Sequence, residues 1–335
     1  MKARAPASVE TVVAQRLGRL SPRVQRRLSR RPPIVIDGQR LEPDVQLMLA
    51  LREYLGEPVW DETLTVEQAR RLTREEAFLA RGTRTVPVGA VEELTVEGLP
   101  ARKYVSAEPG EKPLLVYLHG GGFVVGDLDT HDSPCRMLCR HAGVDVLAVE
   151  YRKAPETPFP GYVDDARTAF RWAASRYEHV AVAGDSAGGN LAATVAIEFD
   201  PELALLIYPV VDGTQERPSR HMFGKGFFLT DELMTWYTGH FMPEGSDPSD
   251  PLRSPILHPD LKDSAPCLIV TAGFDPLRDE GEAYAEKLRE LGVKTVQRRF
   301  PGLFHGFINS TGASPSSRDA LVEVAGMTRA LLRSR

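Results

Sequence analysis

This 335-residue chain has only three cysteines. An odd, small number argues against a disulfide framework. Cys135 and Cys139 are four apart on an expected helix. A metal or redox pair is one reading of them, but no His or further Cys stands at ligand spacing, so they read as small buried apolar residues and no metal site is expected. No apolar run approaches the ~20 residues of a membrane helix, which argues against stable membrane insertion. The N-terminus lacks the apolar core of about 7–15 residues that marks a secretory signal, so a cytoplasmic protein is expected. Walker-type and Gly-x-Gly-x-x-Gly phosphate loops are also missing, and no cofactor is expected. Repeats and low-complexity segments are absent. What remains is the composition of an ordinary globular protein, 42% hydrophobic and 26% charged.

The net charge of −5 is unevenly spread. Residues 1–33 hold nine Lys or Arg and one Glu, a local +8 that leaves −13 for the remainder. An acidic body argues against nucleic-acid binding. Within the basic segment Val9, Val12, Val13, Leu17 and Leu20 fall at helical spacing. Such a segment could lie on an anionic membrane surface. The preferred reading is a helix folded over the active site with an arginine-rich outer face, or else a tail.

Residues 1–85 read as mainly helical, with Thr65 as a candidate cap for a helix over 63–81. Val91–Val96 and Ala101–Ser106 read as an antiparallel strand pair around Gly98-Leu99-Pro100. Beyond residue 113 strands are expected at 114–118, 144–150, 179–183, 203–208, 266–272 and 294–300. Helices are expected between them at 131–142, 162–176, 187–198 and 276–291, and after them at 317–332. The alternation predicts an α/β fold with a mainly parallel central sheet and helices on both faces. It breaks at 212–262, where Phe223, Phe227, Phe228, Trp236, Tyr237 and Phe241 precede Pro243, Pro248, Pro251 and Pro255. So many aromatics in one insertion suggest a lid that excludes water from a site.

Three motifs carry chemistry. Gly184-Asp185-Ser186-Ala187-Gly188 lies between an expected strand and an expected helix. Such a turn leaves one serine at its apex in a strained conformation and aims the helix N–H groups at whatever the serine attacks. His119-Gly120-Gly121-Gly122-Phe123 follows the apolar run Leu114–Leu118, where consecutive glycines let backbone N–H groups approach a developing oxyanion. Asp275 and His305 each follow a strand-like stretch. A serine hydroxyl needs a neutral imidazole to take its proton, and a carboxylate to fix that imidazole. Of eight histidines, His305 alone follows the candidate acid; His119 is read as ordering the glycine turn. Asp279, expected one turn into a helix, is the rival acid, and Asp275 is preferred for its place at a strand's carboxyl end.

Those motifs, together with Tyr151-Arg152-Lys153-Ala154-Pro155-Glu156, Tyr208-Pro209-Val210-Val211-Asp212 and Asp275-Pro276-Leu277, resemble the bacterial hormone-sensitive-lipase family of carboxylesterases. The resemblance runs from about residue 85 to the C-terminus and follows the family's order, which is that of the α/β-hydrolase fold: Ser186, Asp275, His305. It implies these three as the catalytic triad and the N–H groups of Gly121, Gly122 and Ala187 as the oxyanion hole. It also implies a helical cap built from the N-terminal segment 1–85 and the insertion at 212–262, within a catalytic domain 86–335. Phe123 and Trp236 are the candidate substrate-binding residues. Lys153 is a departure, since the family more often has an apolar residue there.

The function expected is a serine carboxylesterase acting on short- to medium-chain esters, with a small-molecule ester as its partner and a homodimer kept open. An amidase or lactam hydrolase using the same triad is the alternative chemistry. A non-catalytic receptor on this fold is the alternative class, and retention of all three triad residues speaks against it.

Overall fold

The computed structural model describes residues 9–56 and 63–333. In chain order the first elements are helices α1 (Val9–Gly18) and α2 (Pro22–Ser29), the two-residue strands β1 (Val35–Ile36) and β2 (Gln39–Arg40), and helices α3 (Pro43–Leu55) and α4 (Val66–Ala80). Thr65 caps α4 in a reciprocal box with Gln68, as S/T-x-x-E/Q spacing allows.

The core sheet then assembles from β3 (Ala90–Val96), β4 (Leu99–Val105), β5 (Leu114–Leu118), β6 (Asp145–Val149), β7 (Val180–Asp185), β8 (Ala204–Ile207), β9 (Cys267–Phe274) and β10 (Thr295–Phe304). Their spatial order is β10-β9-β8-β7-β5-β6-β4-β3. Only β4 runs against the rest, pairing antiparallel with both β3 and β6. The expected edge pair and all six expected later strands are present, with β10 extending further, to Phe304.

Every residue of β5 is buried, and alternate side chains serve opposite faces. Leu114, Val116 and Leu118 join one apolar cluster; Leu115 and Tyr117 join the other. That two-sided burial is why these strands read as unbroken hydrophobic runs. The first cluster is covered by α6 (Gly161–Ala174), α7 (Ala187–Glu198) and α10 (Arg278–Glu290); the second by α5 (Asp132–Leu138) and α11 (Pro315–Arg333). The insertion supplies α8 (Pro218–Phe223) and α9 (Asp231–Phe241).

The basic N-terminal segment forms two helices rather than one. Residues 1–8 of it lie outside the described residues. Helix α2 packs on α3, with Gln25 and Ser29 buried and Val24 and Leu28 exposed. Helix α1 packs on α4 and brings Gly18 against the Ala313 carbonyl. Among the described residues no helix is long and apolar enough to cross a membrane.

Candidate active site

Strand β7 ends at Asp185, and Ser186 turns the chain into α7 with φ 54° and ψ −118°. A non-glycine residue tolerates that conformation only when its surroundings over-determine it. Here the Ser186 N–H donates to the Ile207 carbonyl at 2.9 Å. A Cβ on Gly184 would lie 2.1 Å from the Gly188 carbonyl oxygen, and one on Gly188 2.0 Å from that of Leu118. The flanking glycines are therefore a packing requirement of the turn.

The Ser186 hydroxyl lies 2.9 Å from His305 Nε2. His305 Nδ1 lies 2.8 Å from Asp275 Oδ2. Asp275 is fully buried just beyond β9, and its other oxygen accepts from the Leu277 N–H at 2.8 Å. The rival carboxylate is engaged elsewhere: Asp279 accepts from the Ser219 N–H and from Arg278 Nε, each at 2.8 Å. The structure thus joins Ser186, His305 and Asp275 into one hydrogen-bonded line and leaves Asp279 out of it.

The glycine turn faces the same point. Gly121 and Gly122 have φ +123° and +57°, values that suit glycine. The Gly120 N–H donates to Asp185 Oδ1 at 2.9 Å, so it is spent on holding the loop. Those of Gly121 and Gly122 make no hydrogen bond among the described residues, and that of Ala187 is free by position at the start of α7. Asp185 also accepts from the Tyr117 hydroxyl at 2.7 Å. Burial works to raise its carboxyl, but His131, Tyr117 and Gly120 outweigh burial and hold it below the ordinary value. His119 orders the loop from the other side. Its Nδ1 is 2.8 Å from the Gly120 carbonyl and its ring stacks on Tyr151 at 4.4 Å. Burial, aided by Lys153, pushes its imidazole down to about 4.

A strained serine hydrogen-bonded through His305 to a buried carboxylate, facing free backbone N–H groups, is an arrangement that can support acyl transfer. Residues 115–309 match the family described as having the alpha/beta hydrolase fold. The chain belongs to this α/β-hydrolase family, in its hormone-sensitive-lipase-like branch of ester hydrolases. The carboxylic ester hydrolase LipN of Mycobacterium tuberculosis is 40% identical, over 85% of this chain and 81% of the relative. The ethyl acetate hydrolase of Pseudomonas putida is 36% identical, over 85% of this chain and 97% of its own. Among solved structures, the esterase of Pyrobaculum calidifontis superposes with a TM-score of 0.79 at 36% identity, covering 84% of this chain and 97% of that one.

In this α/β hydrolase the serine opens onto a cavity of about 760 Å³. The surroundings of the cavity differ from the sequence reading in two respects. From the N-terminal segment, Thr73 of α4 lines the cavity, whereas no described residue of α1 or α2 does. Helix α4 is fixed there by Arg70, which donates to the Val124 and Ala154 carbonyls at 2.9 and 3.0 Å and pairs with Glu156. Trp236 is the second difference. It points away from the cavity, donating to the Leu64 carbonyl at 3.1 Å and packing tilted against the His240 ring at 4.1 Å. It staples the insertion to the N-terminal segment and does not line this cavity. Helical periodicity explains this: Leu233, Tyr237 and Phe241 recur every fourth residue on the cavity face of α9, while Trp236 and His240 share another face.

Tyr237, read from sequence only as one of the insertion's aromatics, covers the glycine turn so closely that a Cβ on Gly122 would be 2.3 Å from its ring. The i, i+4 pattern of α9 was the available signal. Phe123 borders the cavity but is itself 2% exposed, stacked on Tyr162 at 4.5 Å and edge-on to Phe241 at 5.0 Å. Glu280, also missed, is buried in the cavity wall. It accepts from the Val211 N–H at 2.8 Å, and burial pushes its carboxyl up to about 7. Among the described residues no cluster of three His, Cys, Asp or Glu could hold a metal ion.

Proposed function

We propose that the protein is a serine carboxylesterase in which Ser186 is the nucleophile, His305 the general base and acid, and Asp275 the orienting carboxylate. The observation that carries this reading is the continuous line from Ser186 Oγ through His305 to buried Asp275, at 2.9 and 2.8 Å, on the wall of one cavity. His305 Nε2 takes the serine proton as Oγ attacks the ester carbonyl. The oxyanion is held by the N–H groups of Gly121, Gly122 and Ala187; one such donor is worth about 2.7–4 kcal/mol in the transition state. Collapse expels the alkoxide, which His305 protonates. Water, activated by the same imidazole, releases the acid and restores Ser186.

The cavity of about 760 Å³ suits short- to medium-chain acyl esters, within the ~300–1,000 Å³ common for small-molecule sites. A cytoplasmic place of action is supported by three buried cysteines that remain free. The test is a chain-length series of p-nitrophenyl esters run beside Ser186→Ala. Turnover that is lost in the variant supports the reading. A folded wild-type protein that turns over none of the series returns the receptor alternative.

A further inference from the structure

Resting on the esterase reading, we propose that Arg253 forms a carboxylate subsite in the substrate cavity, making esters that carry a free carboxylate a preferred substrate class. Arg253 lines the cavity, and its backbone carbonyl accepts from Asn190 Nδ2 at 3.1 Å, one turn into the helix that begins after Ser186. The backbone at Arg253 is thereby tied to the helix that follows the nucleophile. Its guanidinium lies over the Phe241 ring, 5.3 Å from the centroid, and Phe241 in turn packs edge-on to Phe123 beside the glycine turn. Arg253 Nη1 is shut off from solvent and has no hydrogen-bond partner among the described residues. The Tyr162 hydroxyl, also without a partner, is buried nearby. Two unpaired donor groups together in a closed wall are costly unless an acceptor arrives.

Among the described residues, none of the other charged side chains of the cavity wall hydrogen-bonds to Arg253, although Glu280 and Asp212 lie near enough to act on it through their charge, and Glu216 sits 3.8 Å from Arg220. Arg220 pairs with Asp231 at 3.0 Å. Asp212 is taken by Arg217 at 2.8 Å and by the Thr214 hydroxyl at 2.6 Å. Glu280 is committed to the Val211 and Asp212 N–H groups at 2.8 and 3.3 Å. What is left is one planar cation with a fork of N–H donors, the geometry that recognises carboxylates. A carboxylate on the substrate, a few bonds from the scissile ester, completes this set; an uncharged alkyl chain leaves it unpaired.

The experiment compares kcat/KM for two matched pairs, because the charge can sit on either side of the ester. One pair is mono-p-nitrophenyl adipate and p-nitrophenyl heptanoate. The other is 4-acetoxybutyrate and pentyl acetate, followed by acid release. In at least one pair the charged ester is expected to be favoured at least tenfold, and Arg253→Met lowers that charged-to-neutral ratio at least tenfold, with partial recovery in Arg253→Lys. Equal ratios in wild type and Arg253→Met, or a parallel loss on both members of each pair, overturn the proposal and make Arg253 a support for Phe241 alone. Should the wild type turn over none of these esters, it is the esterase reading that fails. Calorimetric titration of Ser186→Ala with glutarate then decides the subsite separately: binding that is absent in Ser186→Ala/Arg253→Met supports it, and no binding, or equal binding, overturns it.

Discussion

Replacing Glu280 by Gln should make the protein more stable than wild type at neutral pH, by an amount that grows between pH 4.5 and 7. Glu280 is 8% exposed, and burial raises its carboxyl from 4.5 to about 7. Between those values the folded state holds a proton that the unfolded chain has released. Stability from this group is therefore full below 4.5 and is lost as pH rises through 7. A shift of that size corresponds to about 3 kcal/mol at the upper end. His119, 2% exposed, works in the opposite sense. Its imidazole falls from 6.5 to about 4, so the unfolded state binds more protons across that window, and stability is lost as pH falls from 6.5 to 4. In the wild type the two slopes largely cancel over their shared range. Glu280→Gln unmasks the histidine slope, and His119→Asn unmasks the opposite one. Glutamine can still accept from the Val211 N–H, and any misfit of its amide adds an offset that does not vary with pH. The assay is urea unfolding of wild type and both variants at half-unit steps from pH 4.5 to 8. The stability difference between Glu280→Gln and wild type should rise by about 2–3 kcal/mol across the window. A difference that stays flat would refute the assignment of a neutral, buried Glu280.

Asp275→Asn should lower kcat by about 10⁴, because the amide favours the wrong imidazole tautomer; Asp279→Asn, whose carboxylate holds Ser219 and Arg278, should cost activity less than tenfold in the same p-nitrophenyl assay. Tyr237→Ala should shift the preferred acyl length, since its ring covers Gly122. Trp236→Phe should leave that preference in place and lower the melting temperature through loss of its bond to Leu64; interchanged effects would contradict the orientation of α9. Gly188→Ala places a Cβ 2.0 Å from the Leu118 carbonyl oxygen and should destabilise by about 1–3 kcal/mol, the usual range for overpacking, read as a lowered urea midpoint.

The parts of this molecule that were legible in its sequence are those where local chemistry and tertiary role coincide. Leu114–Leu118 is uniformly apolar because both faces of the sheet are covered. Ser186 was marked by glycines that the backbone contacts of Gly184 and Gly188 demand. Thr65 and Gln68 carried their capping box openly. Legibility failed where a residue's role depended on which way its element faces. Trp236 and Tyr237 are adjacent aromatics, and only the rotation of α9 sends one to Leu64 and the other to Gly122. The basic segment misled for the same reason. In α2 the polar Gln25 and Ser29 are buried, through bonds to the Gly18 carbonyl and from Gln46, while Val24 and Leu28 face out, an inversion that no apolar periodicity announces. Glu280 gave no sign at all, since a lone glutamate in a helix ordinarily faces solvent.

Ser186 as the nucleophile is the centre of the proposed chemistry, and covalent labelling with a fluorophosphonate followed by peptide mapping tests it directly. The expected result is one phosphonylated residue, Ser186, with labelling abolished in Ser186→Ala and strongly slowed in His305→Ala, whose imidazole lies 2.9 Å from the serine hydroxyl. Modification of a different serine with Ser186 left free, or labelling as fast without His305 as with it, would contradict the proposed chemistry.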